Sequence, residues 1–235
     1  MAINNRDKQR TRVVYVPVNT GGGSGGGSQA KIKVGENGIK LTNSTFTEVP
    51  QVFDFSDVTD MGKMFYNCTS LTLVPPMNTS QVTNMTNMFD SCSNLITVSP
   101  MDTSNVTTMA AMFSWCQSLA TIPEMNTSNV TNMVSMFNWC TSLTSVPEMD
   151  TSNVTDMTFM FDVCYLLTDL GGFIGLKVDI NLSRCPLTHD SIVNVINKAA
   201  DVTAAPATMT LGADNLAKLS DEEKGIATAK GWTLA

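Results

Sequence analysis

Apolar and polar positions recur along this chain every 24 residues. Val58, Val82, Val106, Val130 and Val154 keep that spacing, and so do Met61, Met85, Met109, Met133 and Met157. The Met-Phe pairs beginning at Met64, Met88, Met112, Met136 and Met160 follow it too. So do Cys68, Cys92, Cys116, Cys140 and Cys164, and the leucines Leu71, Leu95, Leu119, Leu143 and Leu167. Within a unit, Val, Met, Met, Phe and Cys stand at offsets 0, 3, 6, 7 and 10. At helical periodicity these side chains project within about 120° of one another, which predicts an amphipathic helix with one buried stripe. A serine two residues before each valine (Ser56, Ser80, Ser104, Ser128, Ser152) suits the N-cap. After the helix, Leu143 and Val146 are expected inward and Pro147 follows. Pro75 and Pro123 are its equivalents, with Ser99 and Gly171 in the other two units. This stretch reads as a brief extended segment, stacked rung on rung.

An unbroken period over five units predicts a solenoid. One unit cannot bury enough apolar surface to offset the ordering of its own backbone, whereas stacked units cover each other's flanks. The abundant Thr, Ser and Asn then fall on turns and on the solvent face. Solenoid ends need atypical covers. In front, "KIKVGENGIKL" reads as a hairpin about Gly35-Glu36-Asn37-Gly38, followed by the half-unit "FTEVPQVF". Behind, the repeat decays, with Cys185 only 21 residues after Cys164. Residues 188–200 predict a helix with Ile192, Val195, Ile196 and Ala199 inward, and residues 208–211 a strand. Ser220 and Glu223 form a capping box that opens a helix to Lys230, stopped by Gly231, and Trp232-Thr233-Leu234 reads as a last strand. The fold class is an α/β repeat solenoid. Residues 1–20 form a basic arm, 21–28 a linker, 29–53 an N-terminal hairpin and cap, 54–174 the five repeats, and 175–235 a small α/β cap.

Charge refines this division. The arm carries Arg6, Lys8, Arg10 and Arg12 against Asp7, a net of +3, while the whole chain is −7, which leaves −10 on the remainder. An acidic body argues against nucleic acid as partner. A basic arm on an acidic body is expected to dock on something the body does not touch, through Arg6, Lys8, Arg10 and Arg12 and the apolar run Val13, Val14, Tyr15 and Val16. "GGGSGGGS" at 21–28 is a flexible coil spanning roughly 15 Å. It is either an engineered joint or a native tether, and the preceding arm, neither a tag nor a protease site, favours the tether. The beginning lacks the apolar core of a secretory signal, so ordinary export is not expected if the chain starts natively at Met1. No stretch is long and apolar enough to insert in a membrane.

Catalytic and metal chemistry find little support. The sequence has no G-x-S-x-G, P-loop or H-E-x-x-H motif. Its single histidine, His189, is expected to be a surface or capping residue. The six cysteines stand one per layer, with no Cys-x-x-Cys and hence no zinc site. Disulfides are not expected either, because packed helices would hold the layers ~8–10 Å apart. Cysteine is read as a small core residue and methionine as core rather than copper ligand. Asp54, Asn78, Asp102, Asn126 and Asp150 share one repeat position, where turn duty outweighs a carboxylate pair or a calcium site. No metal or other cofactor is called for. The candidate recognition residues are aromatic. Trp115 and Trp139 flank the stripe one layer apart, and Tyr66, Phe159 and Tyr165 also lie off it. They either bind a ligand or pack against neighbouring layers.

Units such as "MDTSNVTTMAAMFSWCQSLATIP" resemble the BspA-type leucine-rich repeats of bacterial surface proteins, over about residues 46–170. The ending "LGADNLAKLSDEEKGIATAKGWTLA" is similar to the terminal cap of such arrays in gut bacteria and their phages. The resemblance implies a non-enzymatic adhesion or recognition role, often outside the cell. The surface members carry signal peptides or lipid anchors, and the front of this chain shows neither. That departure turns the expectation toward a phage virion protein, a capsid fibre or decoration. Its arm would hold a virion or capsid protein, and its repeat face would bind host-surface or mucosal glycans or proteins. The alternatives are a bacterial cell-surface adhesin and a purely structural assembly or oligomerisation protein. Self-association is compatible with each.

Overall fold

The computed structural model describes the backbone of Ile32–Lys33 and residues 40–51 and 53–235. The arm and the linker lie outside the described residues, as do Gly35–Gly38. Each 24-residue unit makes one rung of a solenoid, and the predicted apolar stripe is its interior. The Val, Met, Met, Phe, Cys and Leu positions of all five rungs are buried. Their phenyl rings form a continuous stack along the axis. Phe65, Phe89, Phe113, Phe137 and Phe161 follow one another at centroid separations of 5.5 to 5.8 Å, and Phe173, just before the cap, continues the column at 6.0 Å.

The predicted helix is not what carries the stripe. Residues at its position form consecutive turns, and among the described residues α-helices occur only in the C-terminal cap. In the first rung, Met64, Tyr66 and Cys68 donate their N–H groups back to Met61, Lys63 and Phe65 three residues earlier. The intervening amides of Met61, Lys63, Phe65 and Asn67 donate instead to Asn84, Thr86, Met88 and Asp90 of the next rung. An α-helix would use nearly all these amides internally. Half the amides of this segment therefore bond between rungs, which draws the layers to sheet-like spacing, about 4.8 Å. A turn every three residues keeps nearly the same side chains inward as a helix does, so the stripe is right although the element is not.

The rung-start serines are not N-caps. Ser56, Ser80, Ser104, Ser128 and Ser152 each donate their backbone N–H to the side-chain oxygen of the Asp or Asn two residues earlier, at 2.9 to 3.2 Å. This is the Asx turn, and it confirms turn duty for Asp54, Asn78, Asp102, Asn126 and Asp150. Buried Thr79, Thr103, Thr127 and Thr151 donate through Oγ1 to the next rung at 2.8 to 3.1 Å. Asn105, Asn129 and Asn153 donate through Nδ2 to the previous rung at 2.7 to 2.8 Å.

The extended segments form short parallel pairs. β2 (Phe53–Asp54) pairs with β1 (Ile32–Lys33), β3 (Leu73–Val74) with β4 (Thr97–Val98), and β5 (Ser145–Val146) with β7 (Asp169–Leu170). β6 (Met149–Asp150) pairs with β8 (Phe173–Ile174). The β1–β2 pairing is parallel and joins the front segment to the half-unit, while the turn of the predicted hairpin lies outside the described residues. Proline explains where the β3–β4 ladder stops. Ser99 donates to Val74 and Gly171 to Val146, both at 2.9 Å. At the equivalent positions Pro123 and Pro147 have no N–H to give.

The cap follows its sequence closely. β9 (Ile180–Asn181), α1 (His189–Lys198), β10 (Ala207–Thr210), α2 (Ala213–Leu216), α3 (Asp221–Ala229) and β11 (Trp232–Leu234) build a three-stranded parallel sheet in the order β11-β10-β9. Ile192, Val195, Ile196 and Ala199 are buried, and Ser220 and Glu223 make the capping box. At the other end Phe46 and Phe55 meet Phe65 edge-on. No helix among the described residues is long and apolar enough to cross a membrane.

Candidate functional site

Two positions per rung, at offsets 5 and 9, hold backbone in the left-handed region: Lys63 and Asn67, Asn87 and Ser91, Ala111 and Trp115, Ser135 and Trp139, Phe159 and Val163. This is the φ that the third residue of a type II turn adopts. Trp115 and Trp139 therefore occupy one column in adjacent rungs. Their indoles are parallel to 3° with centroids 4.4 Å apart, and they are 42% and 37% exposed. Their amides are fixed by bonds to Asn138 O (2.7 Å) and Asp162 O (2.9 Å) of the following rungs. The pair packs on itself and still faces solvent. The packing takes the form of one indole on the other, in adjacent rungs.

The other candidates do not join this stack. Phe159 is 61% exposed in the offset-5 column of the fifth rung. With Phe161, Asp162, Asn181 and Arg184 it lines a depression of about 200 Å³, and Arg184 there donates to Asp162 at 3.0 Å. Tyr165 is exposed in the same rung beside exposed Leu166. Tyr66 lies two rungs before Trp115, with the Lys63 ammonium 5.8 Å above its ring. Between Tyr66 and Trp115 the second rung supplies Ser91 and Asp90. Asp90 accepts from Ser91 Oγ at 3.0 Å and from Asn87 Nδ2 at 2.8 Å. Partial burial lifts its carboxyl above the ordinary value, against the opposing effects of those two donors and of Lys63.

The cysteine column is buried, and all six thiols are free. The reason given for excluding disulfides does not hold, because the rungs lie closer than packed helices would. The thiols have another role. Cys92, Cys116, Cys140 and Cys164 donate to the carbonyls of Phe65, Phe89, Phe113 and Phe137 of the preceding rung at 3.0 to 3.2 Å. Burial pushes the Cys116, Cys140 and Cys185 thiols well up, and Cys164 to about 12. That makes them poor nucleophiles. His189 joins α1 to the capping box of α3, with Nε2 2.9 Å from Glu223. Donating to the Asp190 and Glu223 carboxylates favours its charged form and raises its pKa. Among the described residues no group of three or more His, Cys, Asp or Glu side chains could hold a metal ion.

A family profile described as "Mycoplasma protein of unknown function, DUF285" matches residues 39–120 and 92–173. The chain belongs to this family. Its fold is similar to that of a leucine-rich repeat protein of T. pallidum, with a TM-score of 0.55 at 20% identity, over 83% of this chain and 87% of that one. A leucine-rich repeat protein from Bacteroides ovatus aligns with a TM-score of 0.36 at 15% identity, over 86% of this chain and 45% of that one. No curated protein matches the chain. The repeat body is a leucine-rich-repeat-type solenoid of the BspA-like kind.

Proposed function

We propose that this protein is a non-enzymatic recognition module, displayed at a surface, whose repeat face binds host-surface or mucosal glycans or proteins. The observation that carries this reading is the exposed Trp115–Trp139 stack. It stands on rungs whose loops are fixed by inter-rung hydrogen bonds, so the aromatic surface is already ordered before any ligand arrives. The surrounding side chains are largely uncharged hydroxyls and amides, which suit hydrogen bonding to neutral polar ligands. In the leading version the display surface is a phage virion, and the basic arm (Arg6, Lys8, Arg10, Arg12) attaches to a capsid protein. The family description names Mycoplasma, which favours a second version, display on a bacterial cell.

The test compares the full chain with Trp115→Ala/Trp139→Ala for retention on mucin-coated and epithelial surfaces. Retention is expected to drop at least tenfold in the double variant; equal retention overturns the aromatic face. For the arm, the chain with Arg6, Lys8, Arg10 and Arg12 changed to Gln is mixed with intact particles and sedimented. Undiminished association counts against the virion version.

A further inference from the structure

The two indoles are not equivalent. Each has one face against the other, which leaves each one outer face. Trp139 turns its outer face toward the fifth rung, where the same column holds Val163, a buried side chain in direct succession. Trp115 turns its outer face toward the second rung, where the column holds Ser91 and then Asn67. These small polar side chains cannot continue the stack. The greater exposure of Trp115, 42% against 37%, agrees with an outer face that is less covered.

Polar groups border this gap. Asp90 is adjacent in the second rung, its two oxygens each receiving one bond, from Ser91 Oγ and Asn87 Nδ2. A carboxylate has about four acceptor positions, so both oxygens can accept again, side by side. The amide of Ser91 is bonded to Ser114 O of the third rung at 2.8 Å, which fixes the floor of the gap. A flat apolar platform next to a pair of acceptor oxygens suits a ring with one apolar face and adjacent hydroxyls at its edge. That describes a pyranose. An aromatic side chain of a protein partner offers at most one strong donor at its edge, whereas a pyranose offers two neighbouring hydroxyls.

We infer that the space over Ser91, between the outer face of Trp115 and the Asp90 carboxylate, is a sugar subsite. One pyranose stacks on the indole and donates neighbouring hydroxyls to Asp90. The inference rests on the recognition reading above and names the ligand class and the place where it binds.

The decisive variant is Ser91→Trp. It puts a third indole in the same column, on backbone already in the conformation that Trp115 and Trp139 adopt. The gap is filled while Trp115 and Asp90 remain. Full-length wild type, Ser91→Trp, Trp115→Ala and Asp90→Asn are applied to an array of defined mucin-type, milk-type and bacterial cell-wall oligosaccharides. Glycans retained by wild type are then titrated in solution by calorimetry. Binding is expected to weaken at least tenfold in all three variants. Near-ultraviolet circular dichroism of Ser91→Trp is expected to show a stronger indole couplet, which verifies the filled stack. Glycan binding untouched by Ser91→Trp and Trp115→Ala overturns the subsite and leaves glycan recognition standing elsewhere. If wild type binds mucin-coated surfaces but no oligosaccharide, the sugar assignment is overturned while the recognition reading survives.

Discussion

Within the five rungs ten non-glycine residues, two in each, hold φ between 52° and 65°. Asn tolerates that region, whereas an aliphatic residue such as Ala111 or Val163 holds it at a cost of roughly 1–2 kcal/mol. Ala111→Asn is therefore expected to raise stability by about 0.5–1 kcal/mol and Ala111→Val to lower it, as read from urea unfolding midpoints. The same residues explain why the helix reading failed. Its stripe was legible from Val, Met, Met, Phe and Cys, but the residues between them are Thr, Asn and Ser, whose helix propensity is poor. Asn67 and Asn87 at the left-handed positions were the visible warning. The thiols are a second residue-scale matter. Cys116 Sγ donates to Phe89 O, which also accepts from Cys92 N. Cys116→Ser should keep that donor and cost less than Cys116→Val, which forfeits a hydrogen bond of about 0.5–1.5 kcal/mol. The thiol shifts add a pH dependence. Folded Cys164 ionises near 12, against an ordinary 9.0. The unfolded chain therefore loses this proton first, so the stability involved is complete below pH 9 and is lost as pH rises from 9 toward 12. Urea midpoints are expected to fall through that window, less steeply in Cys164→Ser.

At the scale of elements, the outcome depends on which backbone donors a rung can offer its neighbour. Gly171 fills the proline position of the fifth rung, and a Cβ there would lie 2.3 Å from Glu148 N. Gly171→Ala must push two backbones apart, and a loss of about 1–3 kcal/mol is expected in thermal or urea unfolding. Pro123→Ser supplies the missing donor toward Val98. Its gain of about 1 kcal/mol is offset by the lost rigidity of proline, ~0.4–1 kcal/mol. Stability should barely change, while amide 123 becomes protected in hydrogen exchange. These effects were only half legible. The prolines marked the same point in three units, yet their absence at Ser99 and Gly171 gave no sign of where strands would pair. The cap was clearer, because its capping box and its Ile192/Val195/Ile196 spacing obey ordinary helix rules. The aromatic site was the least legible. Helical geometry put Trp115 and Trp139 on a flank of the stripe, but left-handed backbone in parallel rungs is what stacks their indoles.

For the whole molecule, each rung touches only its neighbours, so the array is close to one-dimensional. Removing residues 106–129 deletes one period and rejoins Asn105 to Val130 in register. The shortened chain is expected to fold with a single cooperative transition by circular dichroism. Removing 175–235 instead strips the cover from Phe173 and the end of the last rung, and aggregation on size-exclusion chromatography is the expected result.

The hydrogen bonds between rungs run along the solenoid axis, and so does the phenyl column. A molecule anchored at one end and gripped at the other would carry tension straight through that stack, loading every interface in series. The interface that yields first frees one period, 24 residues, about 80 Å of extended chain. A tether of this kind would give way in equal steps rather than snap, absorbing work each time a layer peels off.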